Sequence, residues 1–183
     1  MRIDKLTTSF QQALGAAQSV AVGRDNPNLD PLHVIHALMS EDEFGAKSLM
    51  LRSGGNVNKL YELVDEAIEK LPKLNNPSGE LSASSDLQRI FNLTDKEAQK
   101  RGDNFIGSDL FLYILSEDKC SAGKLMHQTG LSKKNLGAAL DYVRGGKSQN
   151  SSEQKQDIDT ISKYMIDVTE KAEAGSLDPV IGR

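Results

Sequence analysis

The residues whose types and spacing could do chemistry form a short set, and most of them fail a simple test. Gly145, Gly146, Lys147 and Ser148 spell the end of a phosphate-binding loop, whose amides and lysine would cradle a nucleotide phosphate. That loop also needs a glycine five residues before Gly146, and the position holds Asp141. The segment follows a helical pattern rather than a strand, so it reads as a helix stop and hinge. His33 and His36 lie one helical turn apart and could share a metal. A zinc site wants further ligands that the neighbouring sequence does not supply, so both read as packing or surface histidines, with His127 alone farther along. Cys120 follows Lys119, which favours a thiolate, yet a lone cysteine at a helix cap reads as inert. The serines lack a histidine and carboxylate in any hydrolase signature, which leaves nucleophilic catalysis without support.

Asp103 and Asp109 are different. They flank the loop Asn104–Ser108, with Leu93, Phe105 and Leu110 close by in sequence. Two readings stand. In one, the apolar residues are core and the acids are helix caps or solvated. In the other, the apolar residues floor a shallow groove rimmed by carboxylates, which would accept extended segments carrying apolar and basic side chains.

The elements that must position these residues are helices throughout. Thr8–Gln11 reads as a capping box, with Phe10, Leu14, Ala17 and Ala21 following at helical spacing. Asp30 and Pro31 start a second helix through Leu32, Ile35, His36 and Met39, and a third around Ala46–Arg52 stops at Gly54 and Gly55. Asn56 caps a fourth that runs toward Pro72. The plan then repeats. A second capping box sits at Ser85–Gln88, and helices open at Ser108, Ser121 and Ser132, the last ending at Arg144. The residues repeat too. Ser40, Glu41 and Asp42 recur as Ser116, Glu117 and Asp118 at an offset of 76, while Phe10, Arg24 and Leu29 match Leu87, Arg101 and Ile106 at 77. One helical unit has been used twice. No alternating strand pattern is found, and the expectation is two four-helix bundles joined by Pro72–Ala83.

After Gly146 the composition changes. Residues 147–156 carry no apolar side chain and read as a flexible linker. Ile158, Ile161, Met165, Val168 and Ala172 then mark a ninth helix over Asp157–Ala174, whose partner surface is expected beyond Arg183. A net charge of -4 with scattered lysines and arginines argues against nucleic acid and against anionic membrane surfaces. The single cysteine suits a reducing compartment, and neither a signal peptide nor a membrane-spanning run is read, so a soluble cytoplasmic location is expected.

The doubled unit resembles the Clp N-terminal domain, an all-helical module of two four-helix repeats. Met1–Thr7 (MRIDKLT), Ala98–Ile106 (AQKRGDNFI) and Leu177–Arg183 (LDPVIGR) resemble the ClpB branch, the AAA+ protein disaggregases. This resemblance implies an all-α, pseudo-twofold fold over residues 1–146, with repeats at about 1–72 and 84–146, then the linker 147–156 and the start of the first ATPase domain at 157–183. It implies no cofactor in this piece, with ATP and Mg bound by the parent. It further implies a parent homo-hexamer built through its ATPase domains, cooperation with the DnaK chaperone system, and weak early contact of this domain with unfolded or aggregated polypeptides. Substrate-contact positions of the family match Thr7, Asp103 and Asp109 here, beside Leu93 and Leu110. Position 109 is Asp where the family often has Glu, and Glu97 stands where leucine can occur. A docking module for a folded adaptor protein is the alternative that related Clp unfoldases suggest, and a role in ordering or regulating the ring is a third.

Overall fold

The computed structural model describes residues 3–40, 45–74 and 81–145. The linker 147–156, the helix expected at Asp157–Ala174, the last three residues of the glycine–lysine pattern, and Glu41 and Asp42 of the repeat lie outside them. A 3-10 turn at Ile3–Lys5 leads into α1 (Thr8–Gly23), followed by α2 (Pro31–Ser40), α3 (Ala46–Arg52) and α4 (Val57–Glu69). The second set is α5 (Ser85–Arg101), α6 (Ser108–Leu115), α7 (Ser121–Gln128) and α8 (Lys133–Arg144). Asn56 caps α4 by accepting from the Lys59 amide, and Ser132 caps α8 by accepting from Asn135, 76 residues apart as the repeat requires.

The first helix of each set is capped one residue earlier than its capping box suggests. Thr7 Oγ1 accepts from the Phe10 amide at 3.3 Å, and Ser84 Oγ accepts from Leu87 at 3.1 Å. The glutamines do not complete a box either. Gln11 Nε2 donates to the Leu6 carbonyl and Gln88 Nε2 to that of Ala83. With the caps at Thr7 and Ser84, the third helical residues are Phe10 and Leu87, which have no acceptor to return to the cap amide, and the glutamines stand one residue too far on. The cap amides bond instead across the halves: Thr7 N donates to the Ile106 carbonyl and Ser84 N to that of Leu29, both at 2.9 Å.

Those two bonds reveal how the halves are joined. Two short strands, β1 (Asn28–Leu29) and β2 (Ser82–Ala83), pair in parallel, and Leu6 bridges Ile106 in the same sense. The repeat offset of 77 maps Leu6 onto Ala83 and Leu29 onto Ile106. Each half therefore pairs its entry segment with the loop between the other half's first two helices. These strands are too short to carry an alternating pattern, which is why none is legible in sequence.

Helices cross the boundary as well: α3 packs on α8 and α4 on α7. Asn56 N donates to the Thr129 carbonyl at 2.9 Å. At that crossing the backbone must come close. Gly130 has φ +93°, and a Cβ there would stand 3.3 Å from the Gly54 carbonyl oxygen. The two four-helix units consequently share one core. Phe10 from the first packs against Phe91 and Phe111 from the second, with ring centroids 6.1 and 5.3 Å away. Ion pairs repeat with the fold: Arg24 meets Asp65, and its counterpart Arg101 lies 3.7 Å from Asp141. Among the described residues no helix is long and apolar enough to cross a membrane.

Candidate functional site

The loop between α5 and α6 gathers four of the five residues singled out from sequence. Helix α5 ends on Gly102 in the left-handed conformation (φ 77°), and Asp103 N then donates back to the Ala98 carbonyl at 2.8 Å. Ile106 is clamped on both sides, accepting from Thr7 N and donating to the Lys5 carbonyl at 2.8 Å. Asp109 sits in the first turn of α6, where the helix dipole favours a carboxylate, and its Oδ1 accepts from Leu110 N at 2.7 Å. Thr7, Asp109 and Leu110 are buried, and so is the Asp103 carboxylate. Leu110 is core, not groove floor.

What closes this corner is Arg144, a residue sequence reasoning passed over except as the end of a helix. Its guanidinium forks between the two acids: Nη1 donates to Asp103 at 2.8 Å, Nε to Asp109 at 3.1 Å and Nη2 to Asp109 at 3.3 Å. The Arg144 side chain is 9% exposed, and those of Asp103 and Asp109 are 0% and 2%. Burial disfavours the Arg144 charge, but the two carboxylates outweigh it and hold its pKa above the ordinary guanidinium value. The only sequence signal was a basic residue in the last turn of a helix, which the dipole explains without any distant partner. In this conformation the acids are an internal ion cluster tying three helix ends together, rather than an open rim.

Leu93 is elsewhere. It lies roughly two and a half turns up α5 from Gly102, counting 3.6 residues per turn, and is 41% exposed. It lines an open groove with Ile114, rimmed by Lys96, Glu97, Lys100, Glu117 and Lys133. The charges there are largely engaged with one another. Glu97 pairs with Arg101 at 2.8 Å, Glu117 with Lys133 at 2.8 Å, and both cations lie over the Tyr113 ring. Glu97 thus puts one arm of an ion pair on the rim of this groove.

The other reactive types have structural posts. His33 Nδ1 accepts from Asp30 N at 2.9 Å while Nε2 faces Asn26 Oδ1 at 2.8 Å, which assigns the Nε2–H tautomer. Desolvation, with His36 and Arg24 adding to it, pushes His33 down to about 4, so it is neutral at pH 7. His36 stacks on Tyr61. Cys120 is buried at the N-cap of α7, and burial, with Asp118 nearby, pushes its thiol up to about 12. Asp118 is itself held below the usual carboxylate range: burial raises it, and hydrogen bonds from Arg89 and the Cys120 amide more than offset this. No group of three or more His, Cys, Asp or Glu among the described residues is placed to hold a metal.

The family profile described as the Clp repeat (R) N-terminal domain matches residues 5–129. This chain belongs to that family. The match runs from the entry segment through α7 and so takes in both halves. Across all 183 residues the chain is 40% identical to the chaperone protein ClpB of Pseudomonas putida and 38% identical to that of Vibrio cholerae, covering 21% of each. The Clp N-terminal domain here thus spans about a fifth of the length of these relatives. In structure it is similar to the Hsp104 N-terminal domain from Candida albicans, with a TM-score of 0.71, 22% identity and coverage of 82% of this chain and 98% of that one. The N-terminal domain of ClpV1 ATPase from E. coli is also similar, at a TM-score of 0.65 and 18% identity over 81% and 90% of the chains. Those two likenesses speak to the fold, which is the all-helical doubled unit expected from sequence.

Proposed function

We propose that this Clp N-terminal domain is the substrate-recognition module of a ClpB-type, ATP-dependent disaggregase, holding exposed apolar segments of damaged proteins weakly before a motor pulls them. The observation that carries the reading is Leu93, a large apolar side chain left in an open groove while comparable leucines of α6 are fully buried. The ClpB relatives support it. The Asp103–Asp109 corner at the end of the same helix plays a supporting part, since Arg144 closes it and the cluster holds the ends of α5, α6 and α8 together.

Magnitudes suit weak capture. Full burial of a leucine gives about 1.5–3 kcal/mol. Leu93 is already more than half covered, so finishing the job contributes about 1 kcal/mol. A few such contacts against several kcal/mol of association and ordering entropy leave micromolar affinity or weaker. In the proposed parent, a hexamer binding ATP and Mg through ATPase domains and working with DnaK in the cytoplasm, several tethered copies gain by avidity while each releases readily.

The test is an NMR titration of the chain with a permanently unfolded protein. Shifts centred on Leu93 and Ile114, with smaller ones at Thr7, Asp103 and Asp109, are expected. Binding that leaves this groove silent sinks the assignment. Docking of a folded adaptor is the second reading, favoured by the face where α3 meets α8, on which Leu51 and Tyr142 are exposed and Arg52 lies 5.1 Å from the Tyr142 ring. It predicts a one-to-one complex, insensitive to unfolded competitors and burying on the order of 1,600 Å².

A further inference from the structure

Helix α5 turns Leu93, Lys96, Glu97 and Lys100 toward the open groove, at the i, i+3, i+4 and i+7 spacing of one helix face. Every carboxylate lining that groove already has a cation. Glu97 takes Arg101, Glu117 takes Lys133, and Asp118 takes Arg89 at 2.6 Å. Lys96 and Lys100 are exposed and make no ion pair or hydrogen bond among the described residues. The uncompensated charge beside Leu93 is therefore positive, on a chain whose net charge is -4. A second depression shares Glu117, Asp118 and Lys133 with the first and adds Lys124, which is likewise exposed and unpaired among the described residues. The two form one trough across α5, the end of α6 and α7.

The fold does not ask for these lysines. At the repeat offset of 77, Lys96 and Lys100 map onto Ser19 and Gly23 of α1, and Leu93 onto Ala16. The same helix face in the first half carries no cation and no large apolar side chain, so the combination belongs to the trough and not to helix packing. We propose that this trough selects apolar segments flanked by aspartate or glutamate, with Lys96 and Lys100 as the residues that read the acids. This rests on the substrate-recognition reading above and names the class of segment that site takes. The flanks are acidic, not basic as Asp103 and Asp109 suggest from sequence, because Arg144 already occupies those two carboxylates. The register follows from the helix. A rise of 1.5 Å per residue sets Lys96 about 4.5 Å and Lys100 about 10.5 Å along the axis from Leu93. An extended segment advances about 3.3 Å per residue, so its acids fall about one to three residues from the leucine that covers Leu93. Lysine offers a point charge on a flexible stem rather than a planar fork, which reads charge without fixing geometry and accepts either acid.

The test uses the 183-residue chain and four labelled peptides that share a central leucine pair. One carries glutamates within three residues of the leucines, the second glutamines there, the third lysines there, and the fourth the same glutamates moved about eight residues away. Binding is read by fluorescence anisotropy and its place by the Leu93 amide resonance. Exposed ion pairs contribute little each, so the first peptide is expected to bind about three- to tenfold tighter than the glutamine peptide, with the lysine peptide weakest. The distant glutamates are expected to give less than about twofold, and the advantage of the near ones to vanish in about 1 M salt, where charges are screened beyond about 3 Å. The double variant Lys96→Gln, Lys100→Gln is expected to bind the first two peptides alike, with an unchanged melting temperature. Equal affinities in the wild type, a tighter lysine peptide, or a glutamate advantage that survives the double variant overturns the charge selection, and a shift of Leu93 in the same titrations leaves the groove standing. If neither these peptides nor an unfolded protein shifts Leu93, the recognition reading falls and takes the charge selection with it.

Discussion

Replacing Arg144 by alanine is the sharpest probe of the acidic corner. An exposed ion pair contributes about 0–1 kcal/mol, because water and salt compensate for its loss. This cluster is not exposed: the Asp103 and Asp109 side chains are 0% and 2% accessible, and three charge-assisted hydrogen bonds of 2.8–3.3 Å end on Arg144. Taking one partner from a buried pair costs about 3–5 kcal/mol, most of it the penalty on the charges left behind. With a urea slope of about 2 kcal/mol per molar for a domain of this size, the midpoint should fall by about 2 M. The decisive comparison adds Asp103→Asn and Asp109→Asn to Arg144→Ala. More interactions are then removed, yet most of the lost stability should return, because no uncompensated charge remains in the pocket. Urea unfolding followed by far-ultraviolet circular dichroism measures both variants. A loss under about 1 kcal/mol for Arg144→Ala, or a triple variant weaker than the single one, would show that solvent reaches the corner and that the burial argument is mistaken.

Three further outcomes are expected. His33 is buried neutral at about 4 against an ordinary 6.5, so its contribution is complete above pH 6.5 and is lost as pH falls toward 4, at most about 3 kcal/mol; denaturation midpoints of wild type and His33→Gln should converge across that window, and parallel curves would contradict it. Gly123→Ala places a Cβ 2.2 Å from the Asp118 carbonyl oxygen and should destabilise by about 1–3 kcal/mol, whereas Gly15→Ala meets nothing within 4 Å and should stabilise by about 0.5–1 kcal/mol, both read from thermal melts. Leu93→Ser should weaken binding of an unfolded protein about fivefold while moving stability by less than about 0.5 kcal/mol, and an unchanged affinity would remove Leu93 from the site.

Features that depend on neighbours in sequence were legible from residues alone. The helices, the caps at Asn56 and Ser132 and the duplication follow from local periodicity, short-range hydrogen bonding and self-similarity. The first helix of each half is capped one residue before the capping box read from sequence, at Thr7 and Ser84, whose amides bond to the opposite half, a contact with no local trace. The site was legible only as a list. Thr7, Asp103 and Asp109 do converge on one loop, but whether a leucine is floor or core depends on which helix faces meet, and Leu93 and Leu110 fall on opposite sides of that question. Arg144 reaches its partners across 35 and 41 residues. Periodicity runs within an element, so it says what kind of element Arg144 ends and nothing of what that end touches. Only the packing of α8 against α6 decides that two acids and one guanidinium share a space closed to water, and it is that exclusion, not their presence in the chain, that gives the charges their strength.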